Sequence, residues 1–252
     1  MNCQIYEFFL TVAMGKRLIA MGLMAEPEVK AAMTEHRLVI VAGTTNLYVA
    51  EEALKAVGDE TPFDKKLYHR GVTVAPGAKI EPGQTPFDLV IDHGKARFDA
   101  DIFKIAGELT TGDMIMKGGN ALHLESRQAG VLIGHPQGGT LMSITAAHIG
   151  QRAQVIVPIG LEKRVDRPIT ELMALTNALK AQGPRLSYIP GRPYTELDAL
   201  RALTGAEAEL IAAGGVCGAE GGVYLAAKGS AEAVERVREI VKSLRAEAPT
   251  EI

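Results

Sequence analysis

The chain has 252 residues, of which 47% are hydrophobic, and a formal net charge of −3 at pH 7. This length suits one large α/β domain, or an α/β domain with a small companion. The near-balanced charge, without a run of Lys and Arg, argues against a nucleic-acid-binding surface. The only cysteines, Cys3 and Cys217, predict neither a disulfide framework nor a zinc site, and they favour a reducing cytoplasm.

The N-terminal stretch contains a short apolar segment, Tyr6–Met14, which Glu7 interrupts. It is too short to span a membrane and lacks the basic residues that begin a signal peptide, so we expect no membrane segment. Met14-Gly15-Lys16-Arg17 resembles a start of translation. Residues 1–13 are therefore expected to be an upstream extension of the reading frame.

The first clear unit is a strand, a polar loop and a helix, and two short helices within Lys16–Met33 precede it. Leu38–Ala42 is wholly apolar, as is typical of a parallel strand covered on both faces, and Leu47–Val57 is predicted to be helical. The loop between them is Gly43-Thr44-Thr45-Asn46. It suits an anion at a helix N-terminus, but Thr and Asn are also ordinary capping residues. The two roles are compatible, and the sequence leaves both open.

The next part of the chain is less regular. Residues 59–84 are polar and rich in Pro and Gly, which predicts an excursion over the surface. Phe87–Ile91 is predicted to be a strand and Phe98–Leu109 a helix. Between them, Asp92-His93-Gly94 suggests either an acid–base pair or a turn, and the turn is preferred because Asp and Gly both favour one.

The centre of the chain carries two apolar runs, each followed by a glycine-rich polar loop. Met114–Met116 precedes Lys117-Gly118-Gly119-Asn120, and Val131–Ile133 precedes Gly134-His135-Pro136-Gln137-Gly138-Gly139-Thr140. Both runs are predicted to be buried parallel strands. Because ligands bind at the carboxyl ends of strands in open α/β sheets, these two loops and Gly43–Asn46 are expected to form one pocket.

Three more elements follow this centre: a helix at Thr140–Ile149, a strand at Gln154–Ile159 and a helix at Pro168–Ala181. His148 is expected to be a core or interface residue of the first helix. Lys163 and Arg164 come after the strand. They either close over an anionic ligand or form a solvated charged stretch, which is the commoner outcome.

The pattern changes near Pro184, where strands and helices follow in the order β-α-β-β-α, as in part of a ferredoxin-like α+β unit. The predicted architecture is therefore a mostly parallel, Rossmann-like α/β domain with helices on both faces over residues 1–183, and a small α+β unit over residues 184–252. Cys217 lies in a glycine-rich loop and is expected to be an inert free thiol. The predicted elements are the strands Arg185–Ile189, Ala208–Ala213 and Val223–Ala227 and the helices Thr195–Leu203 and Ala231–Leu244.

The motifs of the central region resemble the superfamily of A-type ribose-phosphate isomerases, glucosamine-phosphate deaminases and CoA transferases. Gly43–Asn46 is similar to the phosphate loop of those enzymes, and residues 117–122 are close to the Lys-Gly-Gly-Gly-x-Ala-Leu run of the isomerases. Glu125 lies near the place of their catalytic glutamate. The acidic segment that precedes the lysine motif is reduced here to Asp113, and the isomerases' Glu-Lys pair becomes Glu125-Ser126.

The resemblance implies a small phosphorylated ligand, of sugar-phosphate, nucleotide or CoA type. The loop Gly43–Asn46 would hold its phosphate, Lys117 would neutralise charge or stabilise an enediolate oxygen, and Glu125 or His135 would move a proton. Gln137 would orient a polar group. The expected ligand-binding residues are Gly43, Thr44, Thr45, Asn46, Gly118, Gly119, Asn120, Gln137, Gly138, Gly139 and Thr140.

Two other functions stay open at this point. The chain could be a non-catalytic ligand-binding or regulatory module, which the lack of a complete acid–base pair favours. It could also be a subunit whose site is completed by a partner or by a second copy of itself. No cofactor is predicted, and no metal site, because no two His, Cys or carboxylate residues show ligand spacing.

Overall fold

The computed structural model describes residues 3–63, 65–71, 73–77 and 87–249, and in these residues the chain forms eight α-helices and twelve strands. Much of the excursion predicted over residues 59–84 lies outside the described residues. None of the helices in the described part is long and apolar enough to cross a membrane. The elements are β1 Gln4–Leu10, α1 Val12–Ala25, α2 Pro27–Glu35, β2 Arg37–Ile40, α3 Asn46–Val57, β3 Leu89–Asp92, β4 Lys95–Arg97, α4 Ile102–Ile105, β5 Met114–Met116, β6 Ala121–His123, β7 Gln128–Ile133, α5 Thr140–Gln151, β8 Gln154–Pro158, α6 Ile169–Thr176, β9 Arg185–Tyr188, β10 Arg192–Tyr194, α7 Glu196–Thr204, β11 Glu207–Ala213, β12 Val223–Gly229 and α8 Ala231–Leu244.

The central sheet is mixed and has six strands in the order β10-β8-β5-β2-β3-β4. The four strands from β10 to β2 run parallel, and β3 and β4 are antiparallel to their neighbours. Leu38–Ile40, Met114–Met116 and Val155–Pro158 are fully buried, which explains why these strands are continuous apolar runs. The chain is thus a mixed α/β protein.

The antiparallel direction of β3 also decides whether Asp92 and His93 form an acid–base pair at the site or a turn. His93 and Gly94 have positive φ angles, +48° and +81°, and form the two-residue turn between β3 and β4. Because β3 runs against β2, this turn lies at the opposite edge of the sheet from the loop after β2. Asp92 accepts a 2.7 Å hydrogen bond from His93 and lies beside Arg37 and Arg97. The turn is therefore the correct interpretation of the motif.

A second, antiparallel sheet has the order β6-β7-β9. The prediction that Val131–Ile133 is a parallel strand is therefore wrong, because β7 pairs antiparallel with both β6 and β9. A short apolar run specifies an extended, buried backbone, but it does not specify the partner or the direction of pairing. The loop after β7 still reaches the end of β5, as described below.

A third sheet joins the two ends of the chain. Its strands, in the order β1-β12-β11, are antiparallel, and β1 pairs with β12 along all seven of its residues. Leu10 in β1 is fully buried, so the N-terminal strand is part of the folded core. Strand pairing also crosses the boundary predicted at residue 184, since β9 pairs with β7 and β10 pairs with β8.

Gly112, just before β5, shows where backbone conformation restricts the sequence. Its φ angle is +101°, and a Cβ atom there would lie 2.4 Å from Cε1 of His36. We expect Gly112→Ala to destabilise the protein by roughly 1–3 kcal/mol. Gly150→Ala is the matched control, because Gly150 lies in α5 with open space around the position of a Cβ. That change should raise stability by about 0.5–1 kcal/mol. Urea unfolding measures the free energy of unfolding of both variants. Equal effects of the two changes would contradict the conclusion that the backbone conformation at position 112 requires glycine.

Candidate functional site

A cavity of about 470 Å³ lies at the carboxyl ends of the parallel strands β2 and β5. This volume is in the range of pockets that bind small molecules. The loops after β2 and β5 and the loop between β7 and α5 line it. Eleven predicted site residues line the cavity: Gly43, Thr44, Thr45, Lys117, Gly118, Gly119, Asn120, His135, Gly138, Gly139 and Thr140.

The loop after β2 leads into α3, and no side chain caps that helix. Thr45 is the N-cap residue, and its hydroxyl group lies 3.5 Å from the ammonium of Lys163 instead of bonding to the helix. The first N–H groups of a helix have no partner within the helix. Two of the first-turn groups in α3 do have partners, since the N–H of Leu47 donates to the carbonyl oxygen of Gly43 at 2.8 Å and that of Tyr48 to the carbonyl oxygen of Thr45 at 3.1 Å. Because Gly43, Thr44 and Thr45 line the cavity, α3 offers an anion there mainly the positive end of its dipole.

Asn46 has a structural role in the same loop. Its side-chain amide is fully buried and donates to the carbonyl oxygens of Val41, at 2.7 Å, and Met116, at 2.9 Å. These bonds tie the end of β2 to the end of β5. Asn46 is not among the residues that line the cavity. Its role is to join the two loops that do line it.

The second helix that begins at the cavity is α5. Gly138 and Gly139 have positive φ angles of +80° and +57°, and they turn the chain into the helix. Gly139 is the N-cap residue and has no side chain to bond the helix N–H groups, while Thr140 and Leu141 line the cavity. Two uncapped helix N-termini therefore meet one cavity.

Three cationic side chains line the cavity: Lys117, Lys163 and Arg70. The ammonium of Lys117 donates to the carbonyl oxygen of Gly118 at 3.0 Å. Burial, followed by repulsion from Lys163, lowers the pKa of Lys117 to about 8. No Asp or Glu occurs among the described residues that line the cavity. Because Arg70 is paired with Asp88, the unbalanced positive charge of the lining comes from Lys117 and Lys163.

Asp88 holds one wall of the cavity in place. It is fully buried and accepts hydrogen bonds from the backbone N–H groups of Ala42, at 2.8 Å, and Ile102, at 2.7 Å, and from the guanidinium of Arg70, at 3.1 Å. Burial raises the pKa of Asp88, and the charge of Arg70 and the two N–H donors oppose that shift. Asp88 thus positions Arg70 beside the loop after β2.

His135 lies at the exposed rim of the cavity, in the loop after β7. Its Nδ1 accepts a 3.1 Å hydrogen bond from the backbone N–H of Gln137. A neutral imidazole that accepts at Nδ1 carries its proton on Nε2, so Nε2 is the nitrogen left for a ligand. The side chain of Gln137 is exposed and does not line the cavity.

The structure does not bring Glu125 to the cavity. Glu125 is exposed in the turn that joins β6 to β7, whereas the cavity is lined by residues before β6 and by the end of β7. The turn lies at one end of the β6–β7 hairpin, and the cavity lies at the other end. Glu125 is therefore close to Lys117 in sequence but does not reach the cavity that Lys117 lines.

Two cationic residues of the cavity were not among the expected ligand-binding residues, although contact of Lys163 with an anionic ligand was one of the two alternatives that the sequence left open. Lys163 follows β8, the third parallel strand that ends at this edge, and the position of that strand explains how it reaches the cavity. Arg70 belongs to the excursion predicted over residues 59–84, and nothing in its local sequence indicates a site. Its long-range bond to Asp88 places it there.

In the part of the chain that the structure describes, no group of three or more His, Cys, Asp or Glu side chains is arranged to hold a metal ion. No protein-family model, no curated protein and no solved structure matches the chain.

Proposed function

We propose that the chain binds a small phosphorylated metabolite in the cavity at the ends of β2 and β5. The observation that carries this proposal is the convergence of two uncapped helix N-termini with Lys117, Lys163 and Arg70. Arg70 is paired with Asp88 behind the lining, and no Asp or Glu among the described lining residues pairs with Lys117 or Lys163. A phosphate dianion is the ligand group that such a site neutralises best.

The proposal includes a chemical role for two residues. Lys117 stabilises a developing enediolate oxygen. His135 takes the proton from one carbon at an unprotonated Nε2 and returns it to the neighbouring carbon. This requires the tautomer with the proton on Nδ1, and therefore the loss of the hydrogen bond from the Gln137 N–H. This is isomerase-like acid–base chemistry. It agrees with the resemblance to A-type ribose-phosphate isomerases in the residues from Lys117 to Leu122, but His135 takes the proton-transfer role that the resemblance implied for Glu125.

The four parallel strands β10, β8, β5 and β2, with α3 following and contacting β2 and α5 preceding and contacting β8, support a Rossmann-like arrangement of the central sheet. We propose this arrangement together with the superfamily relationship. The exposed free cysteines, Cys3 and Cys217, suit a cytoplasmic protein.

A thermal-shift screen against sugar phosphates, nucleotides, CoA esters and folates tests the proposal. A ligand at one hundred times its Kd stabilises the native state by about 2.7 kcal/mol. We expect a phosphorylated compound to raise Tm and its dephosphorylated counterpart to leave Tm unchanged. No shift with any phosphorylated compound would refute the proposal.

A second candidate function is a non-catalytic ligand-binding module, and the missing carboxylate favours it. Hydrogen–deuterium exchange at carbon separates the two functions. An isomerase-like enzyme incubated in D₂O with its bound sugar phosphate incorporates deuterium next to the carbonyl group, and His135→Gln abolishes this. A ligand that binds without any exchange identifies a binding module, or a subunit whose site a partner completes.

Anion binding should depend on pH because the pKa of Lys117 is lowered to about 8. Below this pH the ammonium is charged and attracts the ligand, and above it the amine is neutral. A phosphate monoester, with its second pKa near 6, stays a dianion throughout. We expect the affinity for propyl phosphate to fall by about tenfold between pH 7 and pH 9.5, measured by isothermal titration calorimetry. Lys117→Arg should show a much smaller decline, since a guanidinium stays charged. A flat pH profile in the native chain would contradict this role of Lys117.

A further inference from the structure

The cavity at the ends of β2 and β5 is lined by apolar side chains as well as by cations. Lys117 and Lys163 follow β5 and β8, whereas the apolar residues belong to α4, β7 and α5. These apolar residues are Phe103, Val131, Leu132, Ile133 and Leu141. A phosphate group occupies only a small part of the 470 Å³, so the body of a bound ligand lies against the apolar lining.

Phe103 is the most exposed of these apolar side chains. Its exposed fraction is 52%, although Ile102 beside it and Leu141 are buried. Removing apolar surface from water is favourable in proportion to the area that is covered. Phe103 is therefore the part of the lining that gains most when an apolar group of a ligand covers it.

Asp88 fixes the position of Phe103 at the cavity. It accepts hydrogen bonds from the N–H of Ile102, at 2.7 Å, and from the guanidinium of Arg70, at 3.1 Å. The guanidinium in turn lies 5.7 Å from the centre of the Phe103 ring, within the range of a cation–π contact. A ring that is already held in place loses little side-chain entropy when a ligand binds to it.

A ligand body made of hydroxyl groups fits this lining less well. Buried hydroxyl groups need hydrogen-bond partners, and leaving them without partners is costly. The described lining contains no carboxylate, and the side-chain oxygen of Asn120 already accepts the N–H of Leu132 at 3.0 Å. An apolar group needs no such partners.

We propose that the ligand carries an apolar group at the end away from its phosphate, and that Phe103 recognises this group. The phosphate lies at Lys117 and Lys163, and the apolar group packs against Phe103 and the end of β7. The ligand class is a phosphate monoester with an aliphatic or aromatic substituent. This inference rests on the proposed function and makes Phe103 the residue that determines specificity.

Isothermal titration calorimetry at pH 7 with three unreactive probes tests the inference. Hexyl phosphate and sorbitol 6-phosphate have carbon chains of equal length but differ in their hydroxyl groups, and benzyl phosphate carries an aromatic ring. The measured quantity is the affinity for each apolar probe relative to that for sorbitol 6-phosphate. In the native chain we expect a ratio of at least about tenfold for one apolar probe. A larger ratio for benzyl phosphate identifies an aromatic substituent, and a larger ratio for hexyl phosphate identifies an aliphatic one.

Phe103→Ala should lower this ratio to about threefold or less, because it removes the apolar surface that the probe covers. The affinity for sorbitol 6-phosphate should stay nearly unchanged. Phe87→Ala is the matched control, because Phe87 is exposed to a similar extent, 49%, but does not line the cavity. It should keep the ratio of the native chain.

Ile133→Thr provides a second variant that does not depend on α4. Threonine keeps the β-branched shape that suits the end of β7, but it adds a hydroxyl group to the apolar lining, and it should also lower the ratio. A native ratio near one, no binding of either apolar probe, or a ratio that neither variant lowers would overturn the inference and leave the proposed function intact. Failure of the native chain to bind any phosphorylated compound, by calorimetry and in the thermal-shift screen, would overturn both proposals.

Discussion

Lys117→Met is expected to weaken the binding of phosphate monoesters by roughly 10- to 100-fold, because a hydrogen bond from a charged donor contributes about 1.5–3 kcal/mol. The same change should raise Tm in the absence of ligand. The ammonium of Lys117 is half-buried, has no carboxylate partner among the described residues and is repelled by Lys163. Its removal relieves these costs in the empty site while it removes the attraction for the ligand.

The opposite signs of the two effects make this prediction specific. A lysine that only supports the fold would lower Tm when it is replaced. Lys95→Met is the control, since Lys95 is exposed in β4 and its replacement changes the net charge equally. Calorimetry measures the affinity and differential scanning calorimetry measures Tm. If Lys117→Met binds phosphate monoesters as tightly as the native chain does, Lys117 is not a ligand-binding residue.

Asp88→Ala should produce the largest loss of stability, about 3–5 kcal/mol, because it removes a buried carboxylate that pairs with Arg70 and leaves buried donors unsatisfied, at about 1–3 kcal/mol each. The backbone N–H groups of Ala42 and Ile102 also lose their acceptor. For a chain of this size we expect Tm to fall by roughly 10 °C. Arg70 and the loop after β2 should then lose their fixed positions, and phosphate affinity should decline as well.

The control for this prediction is Asp99→Ala. Asp99 is exposed and forms a 3.0 Å ion pair with Arg97, and such surface pairs contribute about 0–1 kcal/mol. Urea unfolding of both variants gives the comparison. Loss of less than about 1 kcal/mol in Asp88→Ala would mean that its hydrogen bonds do not anchor the cavity wall.

Local elements were predicted well where the sequence pattern is repeated over several turns or where an apolar run is continuous. The helix predicted at Ala231–Leu244 has those bounds in the structure, and its Val234, Val237, Val241 and Leu244 are buried. Ser230 caps it by accepting from the N–H of Ala233. The spacing of apolar residues and the cap are local signals, so no long-range information was needed.

Pairing between strands was predicted less well. The direction of β3, the separate sheet of β7 and the position of β1 beside β12 all depend on partners far away in sequence. An apolar run of three to six residues can bury itself in a parallel or an antiparallel position equally well. The wrong placement of Glu125 has the same cause, since the β6–β7 hairpin determines where it lies.

The sequence by itself determined two of the loops at the candidate site, because the glycine-rich loops after β2 and β5 follow buried parallel strands and end at one edge of a sheet. The loop after β7 follows an antiparallel strand of another sheet, and only the tertiary structure brings it to the same cavity. Only the tertiary structure decided the electrostatics of that site. Arg70 reaches it through Asp88, and Lys163 reaches it through the position of β8. These charges come from segments far apart in sequence, and their effect depends on distance and burial, which no local pattern specifies.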